Sequence, residues 1–323
     1  MKLNPSPLLI ALLFAVIGAA RAESHVWTLT ETRHALRSDP PANSTAVKLG
    51  AARNEWVSFQ ILLRSDAPVK AVLVEAGDLK GSSGGALRGA DARLYRQHQL
   101  HLEVGTYRND SFKPDWYPDP LIPFLHPMTG KKLEGARITA VPFDLPANET
   151  HGFWADLYIP ASASPGDYRG VYRLTADGGR TAIEIPISLT VWNFALPQTP
   201  TLVTEFGSPR LRDYYSQRAK GGNEPEPSDW AAVEAQCAQL LSEHRFNATP
   251  PREALTPKRQ TDGSFRIPSA QVQALREFVD RYHVNALLTP HPSSAVKDPA
   301  AYEKTRARLA EMIVAAAEAS AKK

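Results

Sequence analysis

Residues 170–192 read GVYRLTADGGRTAIEIPISLTVW, and this stretch decides the fold class of the first half of the chain. Two runs rich in β-branched and aromatic residues, Gly170–Ala176 and Thr181–Trp192, flank Asp177, Gly178 and Gly179. A short turn built from Asp and Gly between two such runs is a strong signal for a β-hairpin. The stretch therefore predicts two antiparallel strands.

The same kind of pattern extends toward the N-terminus as short strands separated by turns. Together with the hairpin, these give at least six strands and no convincing helix between residues 24 and 197, which predicts an antiparallel β-sandwich. The pattern does not decide between an immunoglobulin-like and a jelly-roll arrangement. The additional strands are predicted at Trp56–Leu63, Val69–Glu75, Arg93–Tyr95 and Phe153–Ile159.

A change of pattern follows the proline-rich segment 196–200. Short apolar runs at Thr201–Phe206, Phe246–Thr249 and Val284–Thr289 alternate with helical periodicities that begin near Ser228, Ser269 and Pro299. Repeated strand–helix units favour a parallel sheet and resemble the start of a (β/α)8 TIM-type barrel. We therefore expect domain ranges of 23–197 for the β-sandwich and 198–323 for the first βα units.

The second part of the chain is short for a complete barrel. A full barrel takes about 250 residues, whereas 123 residues follow Pro200. We expect an incomplete barrel and a longer protein, because half a barrel would expose sheet edges and apolar helix faces. The alternative is a small open α/β sheet.

The N-terminal segment Met1–Ala22 predicts a secretory signal peptide. Lys2 precedes an uncharged apolar run, and Ala20 and Ala22 supply the small residues of a cleavage site before Glu23. The run is about 13 residues, too short for a membrane-spanning helix of roughly 20. We expect a secreted or periplasmic protein with no membrane partner after cleavage.

Composition excludes several function classes. Without Lys2 and Arg21 the formal net charge falls from +3 to +1, which gives no broad attraction for nucleic acid. The single cysteine, Cys237, excludes an intramolecular disulfide. Neither metal-ligand spacing, a Gly-rich phosphate loop nor a nucleophile elbow occurs, so we expect no metal and no cofactor.

Four segments in order resemble glycoside hydrolase family 123-like proteins, also catalogued as domain-of-unknown-function family 4091. They match the family's ARNE strand, its YPDPL loop, its PGxYxG hairpin and the strand that leads into its catalytic domain. In this chain they are residues 52–63, 116–123, 154–170 and 191–197.

This resemblance implies a β-sandwich followed by a barrel that hydrolyses β-N-acetylgalactosaminide glycans. In such enzymes the 2-acetamido oxygen of the sugar attacks the anomeric carbon, a Glu protonates the leaving oxygen, and an adjacent Asp orients the acetamido group. The Asp-Glu pair is expected after the third barrel helix, and no Asp-Glu dipeptide occurs in the 323 residues. The catalytic residues are therefore unknown, and we expect this chain to be inactive alone.

Candidate substrate-binding residues follow from the barrel rule, which places active sites at the carboxyl ends of the strands. Glu205, Arg210 and His291 follow the first and third predicted strands; the alternatives are a salt bridge at the barrel rim for Glu205 and an exposed loop position for His291. Tyr117 and Asp119 could reach the barrel mouth or brace the two domains, and Trp116 is a candidate sugar-stacking surface. Trp154 and Trp192 are expected in the core.

Two function classes remain open from the sequence. The first is a secreted glycosidase with a glycan or oligosaccharide substrate. The second is a non-enzymatic secreted carbohydrate-binding or surface module built on the sandwich.

Overall fold

A computed structural model describes residues 23–204, 227–255, 258–261, 265–266, 268–287, 299–304, 306–308 and 310–311. The predicted signal peptide lies outside these residues. Within them, no helix has the length and apolar character needed to cross a membrane. The strands of the first part are β1 (Ser24–Thr30), β2 (Val47–Arg53), β3 (Glu55–Ser65), β4 (Val69–Glu75), β5 (Leu79–Gly81), β6 (Ala86–Leu87), β7 (Arg93–Leu102), β8 (Asp115–Pro123), β9 (Phe143–Leu145), β10 (His151–Ile159), β11 (Gly166–Ala176) and β12 (Thr181–Ala195).

These strands form two sheets. The first has the order β1-β3-β10-β7-β8 and is antiparallel throughout. The second has the order β2-β12-β11-β4-β9, with β5 also paired to β11 and β6 paired to β5. The core between the sheets is built from alternate residues of both, including Phe59, Phe153, Tyr172 and Ile187. The predicted β-sandwich is confirmed, with the addition that β2 and β12 run parallel.

The hairpin predicted at residues 170–192 is present. β11 and β12 pair antiparallel along their whole length, from Gly166 opposite Val191 to Ala176 opposite Thr181. Asp177, Gly178 and Gly179 between them all have positive φ, the conformation that Gly and Asp adopt most readily.

The proline-rich segment 116–123 was expected to be a loop and is instead most of strand β8. It pairs with β7 at the edge of the first sheet, where residues without an N–H are tolerated. Trp192 was expected in the core and is 46% exposed, because it follows the last inward-facing residue of β12, Val191. Trp154 is half-buried, and its indole donates to the buried carboxylate of Asp156 at 2.5 Å.

The second part contains the helices α1 (Trp230–Glu243), α2 (Arg252–Leu255) and α3 (Ser269–Tyr282), and the short strands β13 (Lys258–Arg259) and β14 (Phe265–Arg266). Residues 299–304 are also helical. Helix α3 buries the predicted stripe of Val272, Leu275, Val279 and Tyr282. Helix α1 is capped by Asp229, whose carboxylate accepts from the Ala232 amide, and not by Ser228 as expected.

The predicted strands of the second part are not regular strands where the structure describes them. Residues 201–204, 246–249 and 284–287 have no ladder hydrogen bonding, and Glu205, Phe206 and 288–289 lie outside the described residues. A complete TIM barrel is therefore not present in the described part of the chain. The incomplete barrel and the two domain ranges stay predictions.

Candidate functional site

Two asparagines hold the three apolar segments of the second part side by side. Asn247 donates its side-chain amide to the Thr204 carbonyl and its backbone amide to the Thr204 hydroxyl, both at 2.9 Å. Asn285 donates its backbone amide to the Asn247 side chain at 3.1 Å, and its own side chain to the carbonyls of Pro200 and Leu202 at 2.7 and 3.1 Å. Side-chain amides thus replace the ladder hydrogen bonds that the strand prediction required.

The beginnings of these segments face the sandwich. Before the first segment, Gln198 contacts the ring of His283 at 2.9 Å, and the carbonyl of Pro197 accepts from Arg245 at 2.7 Å. Arg245 directly precedes the second segment, and His283 directly precedes the third. The three segments therefore start close to one another and beside the sandwich.

The predicted substrate-binding residues of the second part come from the rule for barrels, in which the active site lies at the carboxyl ends of the strands. Glu205, Arg210 and His291 follow the carboxyl ends of the first and third segments in sequence. All three lie outside the described residues, and their role stays a prediction.

A cleft of about 1180 Å³ separates the sandwich from the second part. Arg93 of β7 and Glu243 of α1 span it with an ion pair of 2.6 Å, and the Arg93 guanidinium also lies 4.4 Å from the ring centre of Trp56. His244 stacks against Trp56 with ring centres 6.0 Å apart. Burial raises the pKa of Tyr95, which also lines the cleft, to about 12, so its hydroxyl stays protonated.

The cleft does not lie at the carboxyl ends of the segments, where the active site of a barrel is expected. Its lining from the second part is Gln198, Gln239, Ser242, Glu243, Arg245, Arg281 and His283, which cluster at the beginnings of the segments and at the carboxyl ends of α1 and α3. Active sites of barrels lie at the opposite face. We therefore interpret the cleft as the junction between the two parts.

Trp116, Tyr117 and Asp119 lie on β8, away from this junction. Trp116 pairs with His101 and Tyr117 with Leu100, while Pro123 at the other end of β8 pairs with Tyr95. His101 is eight positions along β7 from Arg93, which corresponds to roughly 26 Å of strand. Among the described residues, nothing places Trp116, Tyr117 or Asp119 against the second part. Their role in substrate binding stays a prediction.

The immediate surroundings of these β8 residues are specific. Trp116 is 37% exposed, and the guanidinium of Arg37 lies 3.8 Å from its ring centre. The Tyr117 hydroxyl donates to the Lys113 carbonyl at 2.8 Å, and its ring stacks on Phe112. Asp119 is exposed. One face of the Trp116 indole is thus occupied by a cation.

A partly buried polar cluster that the sequence pattern did not indicate lies where the segment between β1 and β2 packs against the first sheet. Arg37, in the segment that connects β1 to β2, donates to Gln99 at 2.7 Å and lies 3.5 Å from Glu149. Glu149 also contacts His151 Nε2 at 2.8 Å. Burial lowers the pKa of His151 against the opposing effect of Glu149, so the neutral ring is favoured. The cluster fastens the connecting segment to the sheet and presents no open nucleophile.

Metal and thiol chemistry find no support in the described part of the chain. No group of three or more His, Cys, Asp or Glu side chains there is arranged to hold a metal ion. Burial raises the pKa of the Cys237 thiol, which disfavours the nucleophilic thiolate.

Comparisons with known proteins agree on the first part of the chain. Residues 27–176 match the model of the glycoside hydrolase 123 N-terminal domain. Among solved structures, the chain is similar to a family 123 glycoside hydrolase from Clostridium perfringens, described in terms of glycolipid glycan hydrolysis. The TM-score is 0.53 at 16% identity, over 81% of this chain and 46% of that enzyme. The chain thus spans about half the length of that enzyme.

Other similarities are weaker. The CooA pilin subunit of enterotoxigenic Escherichia coli matches with a TM-score of 0.27 at 10% identity, over 54% of this chain and 99% of that one. The N-terminal domain of PorA matches with a TM-score of 0.24 at 10% identity, over 54% of this chain and 100% of that one. No curated protein matches the chain.

Proposed function

Because the N-terminal part of this chain is that of a glycoside hydrolase family 123-like protein, we propose that the chain belongs to an exported glycosidase. Its substrates are glycans that carry β-linked N-acetylhexosamine, in particular β-N-acetylgalactosaminides. The observation that carries the proposal is the match of residues 27–176 to the N-terminal domain of family 123.

The arrangement of the second part supports the proposal. The segments 201–204, 246–249 and 284–287 lie together: Asn247 joins the second segment to the first, and Asn285 joins the third segment to both of the others. Helices α1 and α3 follow the first and second segments and pack together through Ala238, Leu275 and Val279. This order fits the sandwich-then-barrel architecture that the resemblance implies.

The proposed chemistry is substrate-assisted hydrolysis. The 2-acetamido oxygen attacks the anomeric carbon as the bond to the leaving oxygen breaks, and a Glu gives its proton to that oxygen. Water then opens the cyclic intermediate and gives a proton back to the Glu, while an Asp beside it holds the acetamido group. The family resemblance implies that this Asp-Glu pair follows the third barrel helix. The sequence contains no such dipeptide. In the proposal, the pair belongs to a further part of the protein, and Glu205, Arg210 and His291 contribute to substrate binding.

Location is part of the same proposal. The leader Met1–Ala22 directs export, and cleavage before Glu23 releases a secreted or periplasmic protein. Mass spectrometry of the exported protein is expected to give an N-terminus at Glu23, and an intact Met1 would contradict this.

The coding sequence beyond codon 323 tests the proposal without any biochemistry. We expect it to continue in frame with an Asp-Glu pair after a strand-like segment and with further strand–helix units. A stop codon there would contradict the enzyme proposal and favour the non-enzymatic carbohydrate-binding module.

A further inference from the structure

Two exposed aromatic rings lie next to each other at the end of β12. Trp192 and Phe194 are 46% and 51% exposed, their ring centres are 5.8 Å apart, and their ring planes are within 11° of parallel. We call this pair the aromatic shelf. Neither residue lines the cleft between the two parts of the chain.

The backbone at the aromatic shelf departs from regular pairing. Val191 pairs with Ala51, but Ala195 pairs with Arg53, so β12 has two more residues than β2 between these pairs. The extra residues form a bulge, a feature that redirects side chains out of a sheet. In this bulge Trp192, Asn193 and Phe194 are all exposed.

Gly50 of β2 lies against the indole ring of Trp192. A Cβ atom at this position would lie 2.9 Å from Cζ2 of Trp192, so the ring rests on the glycine backbone and no larger residue fits beneath it. One face of the indole is thus supported by β2, and the 46% exposure belongs to the rest of the ring. A ring supported in this way is held in position before any ligand arrives, which lowers the entropic cost of binding.

Polar groups border the aromatic shelf. Thr190, which pairs with Gly50, donates its hydroxyl to the exposed carboxylate of Asp167 at 2.8 Å. Stacked rings beside a hydroxyl and a carboxylate match a pyranose, whose C–H face is apolar and whose rim carries hydroxyl groups.

We propose that the aromatic shelf is a glycan-binding surface. The ring surface that the stacked pair leaves exposed attracts the weakly positive C–H hydrogens of one pyranose. Asp167 hydrogen-bonds the hydroxyl rim of that sugar. The choice of a glycan as the occupant rests on the proposed function, whereas binding itself requires no hydrolysis.

Calorimetric titration and saturation-transfer NMR of this chain test the proposal, with triacetylchitotriose and methyl N-acetyl-β-galactosaminide as probes. We expect binding of at least one probe, and about tenfold weaker binding in Trp192→Ala and in Phe194→Ala. Gly50→Ala keeps both rings but displaces the indole, and we expect it to weaken binding as well. Val171→Ala removes an exposed apolar group of the same sheet and is expected to bind as the unchanged chain does.

Three results would overturn the proposal. They are the absence of binding to both probes, binding that the variants of the aromatic shelf leave unchanged, and a change of oligomeric state in these variants without loss of glycan binding. The last result would identify a protein interface. The two proposals can fail separately. If the aromatic shelf binds glycan but no longer form of the protein hydrolyses one, the proposed enzyme activity is refuted and the proposed binding surface is not.

Discussion

The guanidinium of Arg93 and the carboxylate of Glu243 lie 2.6 Å apart and join the first sheet to helix α1 of the second part. Both side chains are about four-fifths buried, at 17% and 20% exposure. The same guanidinium covers the ring of Trp56, which in turn contacts His244 and Tyr158. A charged pair with an aromatic centre thus connects the two halves of the fold.

Replacing Glu243 by Gln is expected to destabilise this junction. The change leaves the Arg93 charge partly buried without its counter-ion, at a cost of about 1.5–3 kcal/mol. Urea unfolding measures the loss. Glu184→Gln breaks an exposed pair with Arg173 at 3.3 Å and serves as the control, with an expected effect below about 1 kcal/mol. Equal effects of the two changes would contradict the assigned role of Arg93 and Glu243.

Asn285→Ala is expected to loosen the second part of the chain. The change removes the hydrogen bonds to the Pro200 and Leu202 carbonyls, at a cost of about 1–3 kcal/mol. Hydrogen exchange at the Asn247 amide, which donates to Thr204, is expected to accelerate. Gln273→Ala, which removes an exposed contact with Glu277 on α3, is the control. An unchanged exchange rate would show that the segments are not held together by Asn285.

Stability is expected to fall as the pH drops below about 6.5, with His151 as one cause. Burial keeps the folded-state pKa of this ring below the usual value of 6.5. Below that pH the unfolded chain binds the proton and the folded chain resists it, so protons favour unfolding. Protonation would also strengthen the contact with Glu149, but Arg37 and Arg96 oppose the added charge.

Thermal unfolding at pH 7.5 and pH 5.5 measures this effect. His151→Gln is expected to narrow the difference between the two midpoints, and His34→Gln, at an exposed position, is the control. A difference that His151→Gln leaves unchanged would assign the pH response to other groups.

The sandwich was predictable where the local sequence pattern is strong. β3, β10 and the β11–β12 hairpin have β-branched or aromatic runs bounded by turn residues, and the structure confirms them. β8 was missed because its prolines are typical of a loop, and only its place at the sheet edge makes them compatible with a strand. Edge position depends on distant strands and has no local signal.

The second part was less predictable for a related reason. Asn247 and Asn285 stand at the apolar runs that were interpreted as strands, and their side chains form the hydrogen bonds that backbone groups would form in a ladder. The junction of Arg93 and Glu243 joins residues 150 positions apart, a separation at which no spacing rule applies. The bulge that follows Val191 likewise depends on the pairing with β2.

Hydrolysis of a pair of aryl glycosides tests the proposed enzyme most directly. One substrate is an aryl N-acetyl-β-galactosaminide, and the other is the aryl β-galactoside that lacks the 2-acetamido group. We predict that this chain alone hydrolyses neither, and that the protein extended to the length of the family 123 enzyme hydrolyses only the first, because the acetamido oxygen is the nucleophile. Hydrolysis by this chain alone, or equal hydrolysis of both substrates by the extended protein, would contradict the proposal.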